Sequence, residues 1–116
     1  MSIPSEITAI VENLNQELDE IEQEAIEGQD IARMILDKFP NNARLVQFFA
    51  TFSNALLFVE VEKRIIRSII ENIALLDTIA DEEIQEVGED LGAELGKVLE
   101  TKNLIINLKQ RLENQL

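Results

Sequence analysis

The chain contains no cysteine, histidine, tryptophan or tyrosine. Those absences remove disulfide staples, Ser-His-Asp triads, cysteine nucleophiles, His or Cys metal sites and haem ligation in their usual forms. Only two prolines, Pro4 and Pro40, and four glycines punctuate the 116 residues, so turn-forming material is scarce and long helices are implied. Basic residues are few as well: 10 Lys and Arg stand against 23 Asp and Glu, for a formal net charge of -13. Direct binding to nucleic acid or to an anionic membrane surface is not expected, because both select Lys and Arg. No long hydrophobic run is present either. The most apolar stretch, Leu45 to Val59, is interrupted by Gln47, Thr51, Ser53 and Asn54 and falls short of the ~20 residues that span a bilayer, so it reads as buried core. The start, MSIPSEITAIVENLNQE, lacks the basic end and apolar centre of a secretory signal, and a cytoplasmic location is the expectation.

What is present is apolar content and period. Hydrophobic residues make up 46% of the chain, which places it with folded proteins despite its charge and suits one compact domain over residues 1 to 116. Apolar or small residues recur at Ile7, Val11, Leu14, Leu18, Ile21, Ala25, Gly28, Ala32, Ile35 and Phe39 in alternating steps of four and three, a heptad seam. Ser2 or Ser5 can cap this helix, and Phe39-Pro40-Asn41-Asn42 ends it and caps the next. Gly28, followed by Asp30, could break or kink the first helix. The unbroken phase of the seam favours continuity, since a loop would reset it. The second helix, about 42 to 76, is apolar on more than one face, and a third, with Asp77 or Asp81 as cap, carries Ile84, Val87, Leu91, Leu95, Val98, Ile105, Leu108 and Leu112 inward. The fold class predicted is all-α, an antiparallel bundle of three long helices at about 5 to 38, 42 to 76 and 81 to 113, each about 50 Å long.

A slender bundle leaves the broad apolar second helix incompletely covered, which predicts a homodimer, in the extreme a six-helix assembly. The residues expected at that contact are Phe48, Phe49, Phe52, Phe58, Ile66 and Ile70. Gly88, Gly92 and Gly96 join them as a stripe on the third helix that would let a neighbouring backbone approach. Lys63, Arg64 and Arg67 form the one tight basic cluster. Antiparallel stacking sets it level with Glu12 and Glu17 of the first helix and Asp90 and Glu94 of the third, which should neutralise it, and Glu60 reaches Arg64 at i,i+4.

The acidic excess lies on the outer helices: residues 1 to 40 hold ten acids and two bases, 41 to 76 three and four, 77 to 116 ten and four. The densest run, Glu17, Asp19, Glu20, Glu22, Glu24, Glu27 and Asp30, falls between seam positions. It reads as an outward acidic face, with Glu17, Asp19, Glu20, Glu24 and Glu27 available to a basic protein partner or simply solvating the bundle. Glu82, Glu83 and Glu86 spell EExxE, which resembles half of the metal-binding signature of the all-α NTP pyrophosphatases of the MazG type. That resemblance implies Mg²⁺ held between carboxylates one turn apart, with further oxygens from an ExxD element on a neighbouring helix. The second element is absent, since no Asp follows Asp90 and Glu100 is followed at the matching offset by Asn103. The same acids also suit the positive end of a helix dipole. Ferritin-like Glu-x-x-His sites need a histidine, and Asp77 and Asp81 lack EF-hand spacing.

The function these features support is that of a non-enzymatic interaction, adaptor or regulatory protein working as a homo-oligomer, with no cofactor. Two alternatives come from other classes. One is a divalent-metal-dependent nucleotide hydrolase using Glu82, Glu83 and Glu86, and the other an acidic decoy for a nucleic-acid-binding protein.

Overall fold

A computed structural model describes residues 3–76 and 78–115. It consists of α1 (Ser5–Lys38), α2 (Ala43–Ala74) and α3 (Asp81–Glu113), with no strand among the described residues. The three helices run up, down and up in a rod of 59 × 20 × 17 Å. α1 and α3 are therefore parallel to each other, and α2 is antiparallel to both.

The heptad seam of α1 is buried at seven of its ten expected positions, with Val11 and Ile35 half-buried and Phe39, beyond the end of the helix, corrected to 60% exposed. Ile7, Leu14, Leu18, Ile21, Ala25, Gly28 and Ala32 all face the core. α1 passes through Gly28 without a break, and the reason lies on α2. A Cβ at residue 28 would sit 2.5 Å from Cε1 and Cζ of Phe52, a ring that is fully buried. The missing side chain is the notch that receives the ring. One residue on, Gln29 Nε2 donates to Ser53 Oγ at 2.8 Å, which fixes the same antiparallel register. Further along α2, Ala55, Val59, Ile66 and Ile73 continue the buried face, and α3 contributes Leu91, Val98, Ile105, Leu108 and Leu112. These residues form one continuous core. α1 packs closely along both neighbours, whereas α2 and α3 touch each other sparsely, so α1 is the central element of the rod.

The helix ends follow local chemistry. Phe39 closes α1 by donating its N–H to Ile35 O, and the Asn42 side chain accepts from Leu45 N–H at 3.2 Å as the N-cap of α2. Two expected caps are corrected. Ser5 and Asp81 are the first residues inside their helices, and the cap positions belong to Pro4 and Ala80, neither with a side-chain bond. The other cap candidates, Ser2 and Asp77, lie outside the described residues. At the start of α3 the carboxylates of Asp81, Glu82 and Glu83 occupy the first turn, where the helix dipole favours negative charge.

Candidate functional site

The charged residues of α1 form a series of bridges to its neighbours. Lys102 of α3 sits between Glu17 Oε2, at 2.6 Å, and Glu20 Oε2, at 2.9 Å. One heptad on, Lys109 sits between Glu24, at 2.8 Å, and Glu27. Each acid pair repeats seven residues after the last, as do the lysines, so two parallel helices hold the same register at both levels. On the opposite flank Lys63 of α2 donates to Asp19 Oδ1 at 2.6 Å and lies 3.7 Å from Glu22. These bridges hold the lysines in their charged form. Lys102 is raised above the usual lysine range by its hydrogen bonds to Glu17 and Glu20, Lys109 by those to Glu24 and Glu27, and Lys63 chiefly by that to Asp19. Glu27 is lowered in turn by its bond from Lys109.

This arrangement shows that the acids of the expected acidic face also bridge the helices, with the side chains of Asp19 and Glu20 still 66% and 47% exposed. Glu17, Asp19, Glu20, Glu24 and Glu27 are all engaged inside the chain. Most of the acids that make no ion pair among the described residues gather instead at one end of the rod. They are Glu6 and Glu12 on α1, Glu71 on α2, and Asp81, Glu82, Glu83, Glu86, Glu89 and Asp90 on α3, all exposed, while Glu60 and Glu100 lie along its length and Asp37 and Glu113 at the other end. The expectation for the basic cluster is corrected. Lys63 pairs with Asp19 and Glu22 rather than with Glu12, Glu17, Asp90 or Glu94, while Arg64 and Arg67 are exposed and make no ion pair among the described residues, Glu60 included.

Glu62 is a site the sequence reading passed over. It occupies a seam position of α2, between Val59 and Ile66, and is 3% exposed. Glu94, at a seam position of α3 between Leu91 and Val98, stands against it. Lys97 Nζ lies 3.7 Å from Glu62 Oε1 and 3.1 Å from Glu94 Oε2. The Oε2 atoms of both glutamates are nevertheless buried without a hydrogen-bond partner, the lysine being close but poorly aligned. Burial first, and Glu94 second, push the Glu62 carboxyl up to about 7, while the contact with Glu62 lowers Glu94. The pair thus holds a proton, on Glu62, well above the pH at which a solvated glutamate loses it.

The residues expected to mediate self-association divide into three groups. Phe48, Phe52 and Ile66 are taken up by the core of a single chain, which corrects their assignment to a dimer contact. Phe49, Phe58, Ile70 and Gly88 are half-buried, and Gly92 and Gly96 are exposed. A Cβ at residue 88, 92 or 96 would meet nothing within 4 Å, so no helix of the same chain approaches the glycine stripe. What the chain does leave bare is the outward side of α2, almost opposite its buried face. There Val46, Leu57 and Val61 are 51%, 59% and 40% exposed, with Ala50 and Asn54 between them. No charged residue occurs from Leu45 to Val59. By length and composition alone α2 is apolar enough to cross a membrane, with 28% of its most apolar window buried, although one face is committed to the core.

Glu82, Glu83 and Glu86 project into solvent, and among the described residues no group of three or more carboxylates converges in a way that could hold a metal ion. A groove of about 450 Å³ runs between α1 and α2, floored by Val11, Ile66 and Ile70, but two of its charged residues, Asp19 and Lys63, are paired with each other. Comparison of the chain with protein-family models, with curated proteins and with solved structures finds no match to any of them.

Proposed function

We propose that this protein is a non-enzymatic helical interaction module that works as a homo-oligomer, with the outward side of α2 as its self-association face. The observation that carries this reading is the uncharged apolar stripe of Val46, Ala50, Leu57 and Val61 on the side of α2 away from the core. Contiguous exposed apolar surface on a rod of this size marks a contact. Charge favours a second copy meeting this side. Two chains of net charge -13 repel, yet α2 and its flanks hold four bases against three acids, so α2 is where copies approach with least repulsion. The unpaired acids at the α1 and α3 start are then left for a basic protein partner, whose binding would weaken with salt.

Sedimentation of the full chain tests the reading directly. Wild type should sediment as a dimer or larger species at micromolar concentration. Leu57→Glu, at a position with 59% exposure and no core role, should give a folded monomer. A wild type that stays monomeric, or a Leu57→Glu chain that still assembles, removes α2 as the contact. Neutral lipid vesicles provide a second arm, since partition of the monomer into them would assign the stripe to lipid instead.

A further inference from the structure

We infer that Glu62, Glu94 and Lys97 form a one-proton latch between α2 and α3, closed while the two carboxyls share a proton and loosened when that proton leaves to solvent. The inference goes beyond self-association and does not depend on it. It starts from position. Both glutamates occupy heptad seam sites that would ordinarily be apolar, at the sparsest of the three helix contacts, and Glu62 is 3% exposed.

Charge balance makes the pair a switch. With one proton present, the carboxyl of Glu62, the carboxylate of Glu94 and the ammonium of Lys97 sum to zero, and the proton supplies the donor that the two orphaned Oε2 atoms lack. Without the proton, two carboxylates share one lysine that is itself half in water, and a net negative charge remains at a buried seam. No other group compensates. On α1 the acids level with this layer, Glu17 and Asp19, are already held by Lys102 and Lys63, and the lysine next to Glu62 on α2 is that same Lys63.

The sign of the pH effect follows from the two glutamates. Glu62 is raised above its unfolded value, so its contribution to the fold is complete below the ordinary glutamate value of about 4.5, falls as pH rises from there, and is lost as pH passes through about 7. Glu94 is lowered, so its contribution is present above 4.5 and is lost in more acidic solution. The latch is therefore shut between those two values and slackens on the alkaline side of neutrality.

Amide hydrogen exchange of the full chain, corrected for the intrinsic rate, tests this at about pH 5.5 and about pH 8. In wild type the amides of α2 and α3 around Glu62 and Glu94 should lose about ten- to thirtyfold in protection at the higher pH, because between about pH 5.5 and about 7 an opened state has already released the proton that the closed state keeps. Glu62→Gln, which keeps the shape and removes the titration, should show the same protection at both. A carbon-13 titration of the wild-type Glu62 carboxyl should have its midpoint near 7. A midpoint in the ordinary glutamate range overturns the latch, as does a Glu62→Gln chain that loses protection like wild type.

Discussion

α1 is held to α2 and to α3 by different means. Toward α2 the lock is chiefly steric: the Phe52 ring fills the notch that Gly28 leaves, where a Cβ would clash, and Lys63 adds a single bridge to Asp19 and Glu22. Toward α3 the flank is electrostatic, two lysines a heptad apart each gripping a pair of glutamates. Shape tolerates no substitution but is indifferent to salt, and charge tolerates conservative change but is screened.

The steric side carries the larger expected effect. Gly28→Ala should gain up to ~1 kcal/mol in helix propensity yet lose ~1–3 kcal/mol net, because the new methyl group displaces a fully buried ring. Urea unfolding monitored by circular dichroism measures this, and the loss should be the same in low and high salt. A stability gain would mean that Phe52 moves freely and that the notch is not a lock. Next comes the charged flank. Lys109→Met should cost about 1 kcal/mol at low ionic strength, since Lys109 is half-buried and serves two acids at once. That cost should shrink as salt is added, and a salt-independent loss would mark the site as packing rather than charge. The smallest change is expected at a glycine with no neighbour. Gly92→Ala should raise the melting temperature slightly, by a stabilisation of ~0.5–1 kcal/mol, because its Cβ meets nothing and only the propensity gain remains. If Gly92→Ala instead weakens an assembled species, the glycine stripe belongs to an interface between copies.

The helices themselves were legible from spacing. The seam from Ile7 to Ala32 has one period throughout, and continuity through Gly28 followed from that period, though the reason for the glycine did not, since Phe52 lies 24 residues away. Asn42 was legible as a cap because the break at Phe39-Pro40 isolates it. The acidic run on α1 was legible only in part, because a list of acids shows how many there are and not which flank each occupies. Counting heptads would have matched Glu17 and Glu24 to Lys102 and Lys109. Glu62, and the seam position of Glu94 against it, were missed for a related reason. A search for apolar residues steps over a charged one, although counting on from Ala55 and Val59 lands on residue 62, and from Val87 and Leu91 on residue 94.

The order of residues along this chain determined three helices, their lengths and which stripe of each would turn inward, because helix period and the avoidance of water by apolar side chains act locally. Which acids would be neutralised by lysines, which glycine would receive a ring and which glutamate would keep its proton were decided only when the helices came together. Those outcomes depend on distances across the bundle and on how much water remains between the partners, and neither quantity exists until the core has closed.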